Sequence, residues 1–203
     1  MSPFPALIRA RVDASGLSVA DDLVARLGAY LDVLARWNRR INLTSFDLDA
    51  PTDAAIDRLI VEPLRAAAFV RESDRVALDI GSGGGSPAIP IAVACPWLRM
   101  TLVEIRARKA AFLREAVRTV DLAGARVEAV AFHRLAADHS LAKQVDVVTM
   151  RAVRADGEIW KAIEVLLAPG GRVLWFGGDR GAIEGTSLAP VASNDVVLVL
   201  ARR

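Results

Sequence analysis

Residues 76–90 read VALDIGSGGGSPAIP. A short apolar run with one aspartate leads into a loop where four of the five positions 81–85 are glycine, and Ser86-Pro87 then opens a helix-like segment. A strand that ends in a turn without side chains, followed by a helix, is the repeating unit of open parallel α/β sheets. Such sheets bind ligands beyond the carboxyl ends of their strands, where the winding direction reverses. The glycine loop follows the first strand of the series and falls at that point. Proline in the first turn of the next helix leaves N–H groups free to face whatever the glycines admit.

The same alternation continues on the C-terminal side. Short β-branched or apolar runs at residues 75–80, 100–104, 126–131, 145–150 and 171–176 alternate with helical patterns near 87–95, 107–121, 136–142 and 155–168. This predicts a mostly parallel, doubly wound sheet covered on both faces. Ala168-Pro169-Gly170-Gly171 stops a helix before the fifth strand, and DVVLVLA at 195–201 predicts a last strand inserted antiparallel. On the N-terminal side, Leu23, Leu27, Tyr30, Leu31 and Leu34 fall on one face of a helix over 19–37, with Ser18 and Asp21 placed to cap it. A second helix is predicted over about 53–69. The chain thus divides into a helical extension, 1–72, and an α/β domain, 73–203, forming one compact unit.

A chain of 203 residues, 53% hydrophobic and 25% charged, is long enough for one substantial core. No run of 18 or more apolar residues offers a membrane span. The opening MSPFPALIRARVDAS interrupts any signal-like apolar region with Arg9, Arg11 and Asp13, which points to the cytoplasm. Cys95 is the single cysteine, so no internal disulfide is possible and a core thiol is expected. The net charge of +2 does not by itself announce a nucleic-acid partner. Its distribution says more: Arg106, Arg108, Lys109, Arg114 and Arg118 face only Glu115 over residues 106–118, and Arg36, Arg39 and Arg40 surround Trp37. His133 and His139 with Asp138 form no metal-ligating pattern, and no metal is expected.

The loop lacks the Gly-Lys-Ser/Thr of a phosphate-binding P-loop, and Ser86 stands where a dinucleotide fingerprint needs glycine or alanine. The pattern present is Asp79-x-Gly81-x-Gly83-x-Gly85, with Glu104 ending the second strand. It resembles the cofactor motif of Rossmann-like class I methyltransferases that use S-adenosylmethionine. That resemblance implies that the glycines pass beneath the cofactor's amino acid and sugar. It also implies that Glu104 accepts hydrogen bonds from both ribose hydroxyls, a geometry suited to a carboxylate.

Enzymes that methylate amino groups of nucleic acids carry Asp/Asn-Pro-Pro-aromatic after the fourth strand, whereas residues 145–153 read VDVVTMRAV. That segment, LARWNRRINLTS at 34–45, the span 78–117 and LLAPGGRVL at 166–174 resemble, in order, the small-subunit ribosomal RNA guanine-N(7) methyltransferases, also called glucose-inhibited division protein B. The Trp-Asn-x-x-Ile-Asn-Leu-Thr element at 37–44 is the most specific part. The resemblance implies ribosomal RNA or the 30S subunit as partner, an enzyme acting as a monomer, and no membrane. Gly81 and Ser86 would line the cofactor, with Leu135 and Ala136 beside its adenine. Arg151 would be the catalytic-site arginine, binding cofactor or RNA phosphate and not acting as a base. Arg36, Arg39, Arg40, Arg106, Arg108 and Lys109 would meet RNA. N(7) of guanine has a free lone pair and loses no proton on methylation, so orientation and exclusion of water carry the catalysis.

The chain departs from the family pattern at four positions. Leu59 replaces a histidine in DRLIVEP (57–63), Ser86 a bulky apolar residue, Ala136 a glutamate and Gly177 a lysine. A small-molecule methyltransferase, and a module that binds S-adenosylmethionine or RNA without catalysis, stay open as alternatives.

Overall fold

The computed structural model describes residues 2–178 and 180–202. Helices α1 (Phe4–Ala14) and α2 (Asp21–Asn38) come first, and α3 (Asp53–Ile56) runs through a π turn (Asp57–Val61) into α4 (Glu62–Ala67). The sheet region follows as β1 (Val76–Ile80), α5 (Ala88–Ala94), β2 (Arg99–Val103), α6 (Ala107–Thr119), β3 (Arg126–Glu128), α7 (Phe132–Ala136), β4 (Val145–Arg151), α8 (Gly157–Leu166), β5 (Leu167–Phe176), β6 (Leu188–Ser193) and β7 (Val197–Arg202).

The sheet order is β3-β2-β1-β4-β5-β7-β6. β1 to β5 are parallel, and β7 enters antiparallel between β5 and β6. Strand order reverses between β1 and β4, so the glycine loop and the end of β4 share the switch point where a doubly wound sheet leaves a crevice. The central strands are apolar on both faces because both are covered. Ala77, Met100, Leu102, Val147 and Leu174 point into a core completed by α1, α2, α4, α5 and α6, while Leu78, Val103, Val148, Met150 and Val173 point into a second core with Trp160 and Ile163 of α8. The helical extension therefore buries its apolar faces on one side of the sheet, and Phe4, Ile8 and Val12 of α1 belong to that same core. Cys95 is buried, and burial pushes its thiol up to about 11.

Several expectations are corrected. α2 starts at Asp21 with Ala20 before it and no side-chain cap, so Ser18 does not cap it. The helix expected over 136–142 is instead α7, ending at Ala136, followed by a 3-10 turn at His139–Leu141. α1 and β6 are additional; β6 carries Pro190 and pairs only with β7, which suits a sheet edge. No described helix is long and apolar enough to cross a membrane.

Candidate active site

The carboxyl ends of β1, β2 and β4 converge on the glycine loop. Gly81 and Gly83 have φ of +70° and +47°, a left-handed backbone that glycine adopts without strain. Glu104, just past β2 and buried, ties this loop to the next one. Its Oε2 accepts from the Gly83 N–H at 3.0 Å and its Oε1 from the Arg106 N–H at 2.8 Å. Each oxygen keeps a second lone pair for an outside donor.

The other two glycines answer to the protein itself. A Cβ on Gly84 would lie 3.0 Å from the Leu43 carbonyl oxygen, and one on Gly85 would lie 2.7 Å from Ile89 Cδ1 and 3.3 Å from Tyr30 Cε2. The Tyr30 hydroxyl donates to the Gly84 carbonyl at 2.7 Å. Leu43 and Tyr30 of the N-terminal layer, together with Ile89 of α5, thus crowd positions 84 and 85, and Gly85 has a φ of +87° besides. Ser86 does not cap α5 either. Its hydroxyl donates to the Leu59 carbonyl at 2.9 Å. Asp79 is fully enclosed: Thr149 Oγ1 donates to its Oδ1 at 2.6 Å while Oδ2 has no partner. Burial lifts its carboxyl to about 6, against the opposing pull of the Thr149 hydrogen bond.

Two cavities flank the loop. One, of about 640 Å³, is walled by Ile80, Val103, Ile105, Phe132, Val153 and Ile159. The other, of about 370 Å³, lies between the loop and the segment 43–46, with Arg58, Lys109 and Arg151 along its side. Both include Gly81 and Glu104. These residues fit S-adenosylmethionine. The apolar slot between Ile105 and Phe132 suits a purine, Glu104 offers lone pairs at the seam, and a Cβ on Gly83 would meet only Gly81 O, at 3.6 Å. Leu135 and Ala136 lie further along α7 and pack against the second core, as do Val130 and Phe132, which also line the larger cavity.

Arg151 is the best-held cation of the site. Nη2 donates to Glu62 Oε2 at 2.7 Å, Nη1 to the Arg58 carbonyl and to Ser86 Oγ at 3.3 Å, and the guanidinium lies 4.3 Å from the Phe176 ring centroid. Burial first, and the Arg58 charge second, pull it down to about 10, so it stays protonated at neutral pH. Arg58 donates to the same Glu62 oxygen at 2.8 Å. Sequence reasoning gave no site role to Arg58 and Glu62, although both lie in the DRLIVEP segment at 57–63, or to Tyr30, which it placed only on a helix face. It flagged Asn38 only as part of a recognisable element. Asn38 Oδ1 accepts from the N–H groups of Leu43 and Thr44, both at 3.0 Å, and so shapes the roof of the smaller cavity.

The expected RNA-facing cations separate. Arg36 is paired with Glu115 and Arg39 with Asp49, whereas Arg40, Arg106 and Arg108 are exposed and make no ion pair with a described residue. Lys109 alone of the six lines a cavity.

The family model described as rRNA small subunit methyltransferase G matches residues 23–197. A ribosomal RNA small subunit methyltransferase G of Ralstonia nicotianae is 38% identical over 179 residues, 85% of this chain and 78% of that protein. The protein of the same name from Stenotrophomonas maltophilia is 36% identical over 178 residues, 87% of this chain and 80% of its own length. Among solved structures, TrmN from Thermus thermophilus superposes with a TM-score of 0.55 at 20% identity, over 70% of this chain and 49% of that one, a likeness of fold.

Proposed function

This chain belongs to the rRNA small subunit methyltransferase G family, and from that premise we propose that it transfers a methyl group from S-adenosylmethionine to N(7) of a guanine in small-subunit ribosomal RNA. The observation that carries the reading is the meeting of an apolar slot and a cation-lined cavity at Gly81 and Glu104. One end suits a nucleoside and the other admits a second, anionic substrate.

Bound S-adenosylmethionine supplies an electrophilic methyl group on its sulfonium sulfur. Glu104 would hold the ribose hydroxyls, Ile105 and Phe132 would enclose the purine, and the backbone at Gly81 and Gly83 would admit the amino-acid arm. In the smaller cavity the roof at 43–46 excludes water, and Arg58 and Lys109 draw the acceptor's phosphates. No side chain needs to remove a proton, because guanine N(7) attacks with a lone pair it already has. Positioning and desolvation are the whole task of the protein. The reaction belongs in the cytoplasm, where small subunits are found.

The test is transfer of labelled methyl from S-adenosylmethionine to 30S subunits, naked small-subunit RNA and a metabolite extract in parallel, followed by mass spectrometry of the labelled nucleoside. Label in 7-methylguanosine of the RNA is expected. Label confined to the metabolites, or binding of S-adenosylmethionine without any transfer, would replace the reading with one of its alternatives.

A further inference from the structure

Residues 106–118 carry five cations and one carboxylate, a net +4 within a chain of net +2, so the other 190 residues together sum to −2. The single carboxylate, Glu115, is turned inward. It pairs with Arg36 and accepts from Trp37 Nε1 at 2.8 Å, at the junction of α6 with α2. The buried face of α6 consists of Ala110, Phe112, Leu113 and Ala116. Its outer face presents Arg108, Arg114 and Arg118, with Arg106 just ahead, all exposed and none in an ion pair with a described residue. Elsewhere Arg9, Arg11, Arg39, Arg58 and Arg65 are each matched by a carboxylate. The nearest acid in sequence beyond the helix is Asp121.

We propose that the outer face of α6 is a track for the RNA backbone, leading from the smaller cavity to Arg118. This rests on ribosomal RNA being the substrate. Lys109 lines that cavity from the inner side of the first turn of α6, and Arg108 beside it opens the outer face. From Arg108 to Arg118 the helix rises about 15 Å, enough to follow several phosphates. Side chains fixed on one helix face and free of internal partners release the counterions of the phosphates they meet, whereas Arg36 and Arg39 would first have to break their own ion pairs. Of the three cations at the end of α2 only Arg40 is unpaired among the described residues, so the larger share of free cations lies on α6.

The test is the double variant Arg114→Ala/Arg118→Ala, at exposed helical positions where alanine preserves the helix. Binding of small-subunit RNA across a salt series, the KM for 30S subunits and the Kd for S-adenosylmethionine are measured, with Arg99→Ala, at the amino end of β2, as control. The log-log salt slope should fall by about 1.4, about 0.7 for each phosphate left unneutralised, while RNA affinity drops roughly tenfold. Cofactor affinity should hold within about twofold and kcat at saturating acceptor should not change. An unchanged slope, or an equal fall with Arg99→Ala, overturns the track while methylation by the wild type leaves the functional reading standing. Absence of RNA binding and transfer by the wild type overturns both.

Discussion

Arg151 and Glu62 meet at 2.7 Å across 89 residues of chain, joining the end of β4 to the first turn of α4. The pair fastens the N-terminal layer over the switch point of the sheet. Glu62 receives Arg58 through the same oxygen, so the two arginines share one charge, and the more buried of them is the one at the strand end.

Placement at a strand end alone would make Arg151 dispensable for folding. Its enclosure says otherwise. Arg151→Ala removes the ion pair, the bond to the Arg58 carbonyl and the stacking on Phe176, and leaves Glu62 with Arg58 only. A loss of about 2 kcal/mol is expected, below the 3–5 of a wholly orphaned buried partner. For a chain of this length that lowers the melting temperature by roughly 4 to 8 °C. Arg151→Lys should recover part of it, since an ammonium reaches Glu62 but cannot fork to three acceptors. Thermal unfolding of both variants without ligand checks this, and an unshifted Arg151→Ala would show these interactions to be idle.

The parallel sheet and its switch point were legible because each rests on a local pattern. Apolar runs bounded by turns mark β1, β2, β4 and β5, and the glycine loop marks where β1 ends. Missing from the sequence was which neighbour each glycine serves. Gly84 and Gly85 look like Gly83 in one dimension, and the approach of Leu43 to one and of Ile89 and Tyr30 to the other tells them apart. The pairing of Glu62 and Arg58 was hidden for a similar reason: the segment 57–63 stood out for Leu59, an (i, i+4) pair on a helix is ordinary, and its tie to Arg151 is a long-range event. At the end of α2 the cations were visible, but not that Glu115 of α6 would take Arg36 and Asp49 would take Arg39.

Asp79 makes stability depend on pH. Burial raises its folded carboxyl to about 6, above the unfolded range near 4, so the native state holds a proton that the unfolded chain has released. The contribution of this group is full below about pH 4 and is lost as pH rises through 6, by roughly 2 to 3 kcal/mol. Asp79→Asn keeps an acceptor for the Thr149 hydroxyl and removes the titration. Its melting temperature should exceed that of the wild type at pH 8 and match it near pH 4.5. A variant that melts lower than wild type at both pH values would mean that the ionised carboxylate is stabilised by its surroundings.

Asn38 should act on the acceptor and not on the cofactor. Its Oδ1 fixes the N–H groups of Leu43 and Thr44, and this segment roofs the smaller cavity, away from the slot of Ile105 and Phe132. Asn38→Ala should raise the KM for 30S subunits by about 5- to 10-fold, the worth of one to two hydrogen bonds, with the Kd for S-adenosylmethionine unchanged. Asn38→Asp retains both accepted bonds but gives up the one the amide donates to the Phe46 carbonyl at 3.4 Å, so it should restore part of the KM. Equal damage to cofactor binding, or no rescue by aspartate, would reduce the residue to a general helix-end contact.

Glu104 is the last and most demanding case, because it has two tasks. Its oxygens already accept from Gly83 and Arg106, and in the proposed complex they also accept from the ribose hydroxyls. Removing the carboxylate therefore loosens the loop and deletes the ligand's partner together. Glu104→Ala should weaken S-adenosylmethionine binding by about 1.5 to 3 kcal/mol through the lost charge-assisted bonds. Glu104→Gln separates the two tasks. Its amide oxygen can serve one loop N–H, but its NH2 faces the other and can only donate to a ribose hydroxyl, never accept from one. Glutamine should thus fall between wild type and alanine in affinity while melting closer to wild type. Calorimetry with S-adenosylmethionine and its demethylated product, beside melting curves without ligand, reads both quantities. If alanine lowers the melting temperature yet leaves both ligands bound as tightly as before, Glu104 is a loop clasp alone and the ribose must be held by another group along the seam of the two cavities.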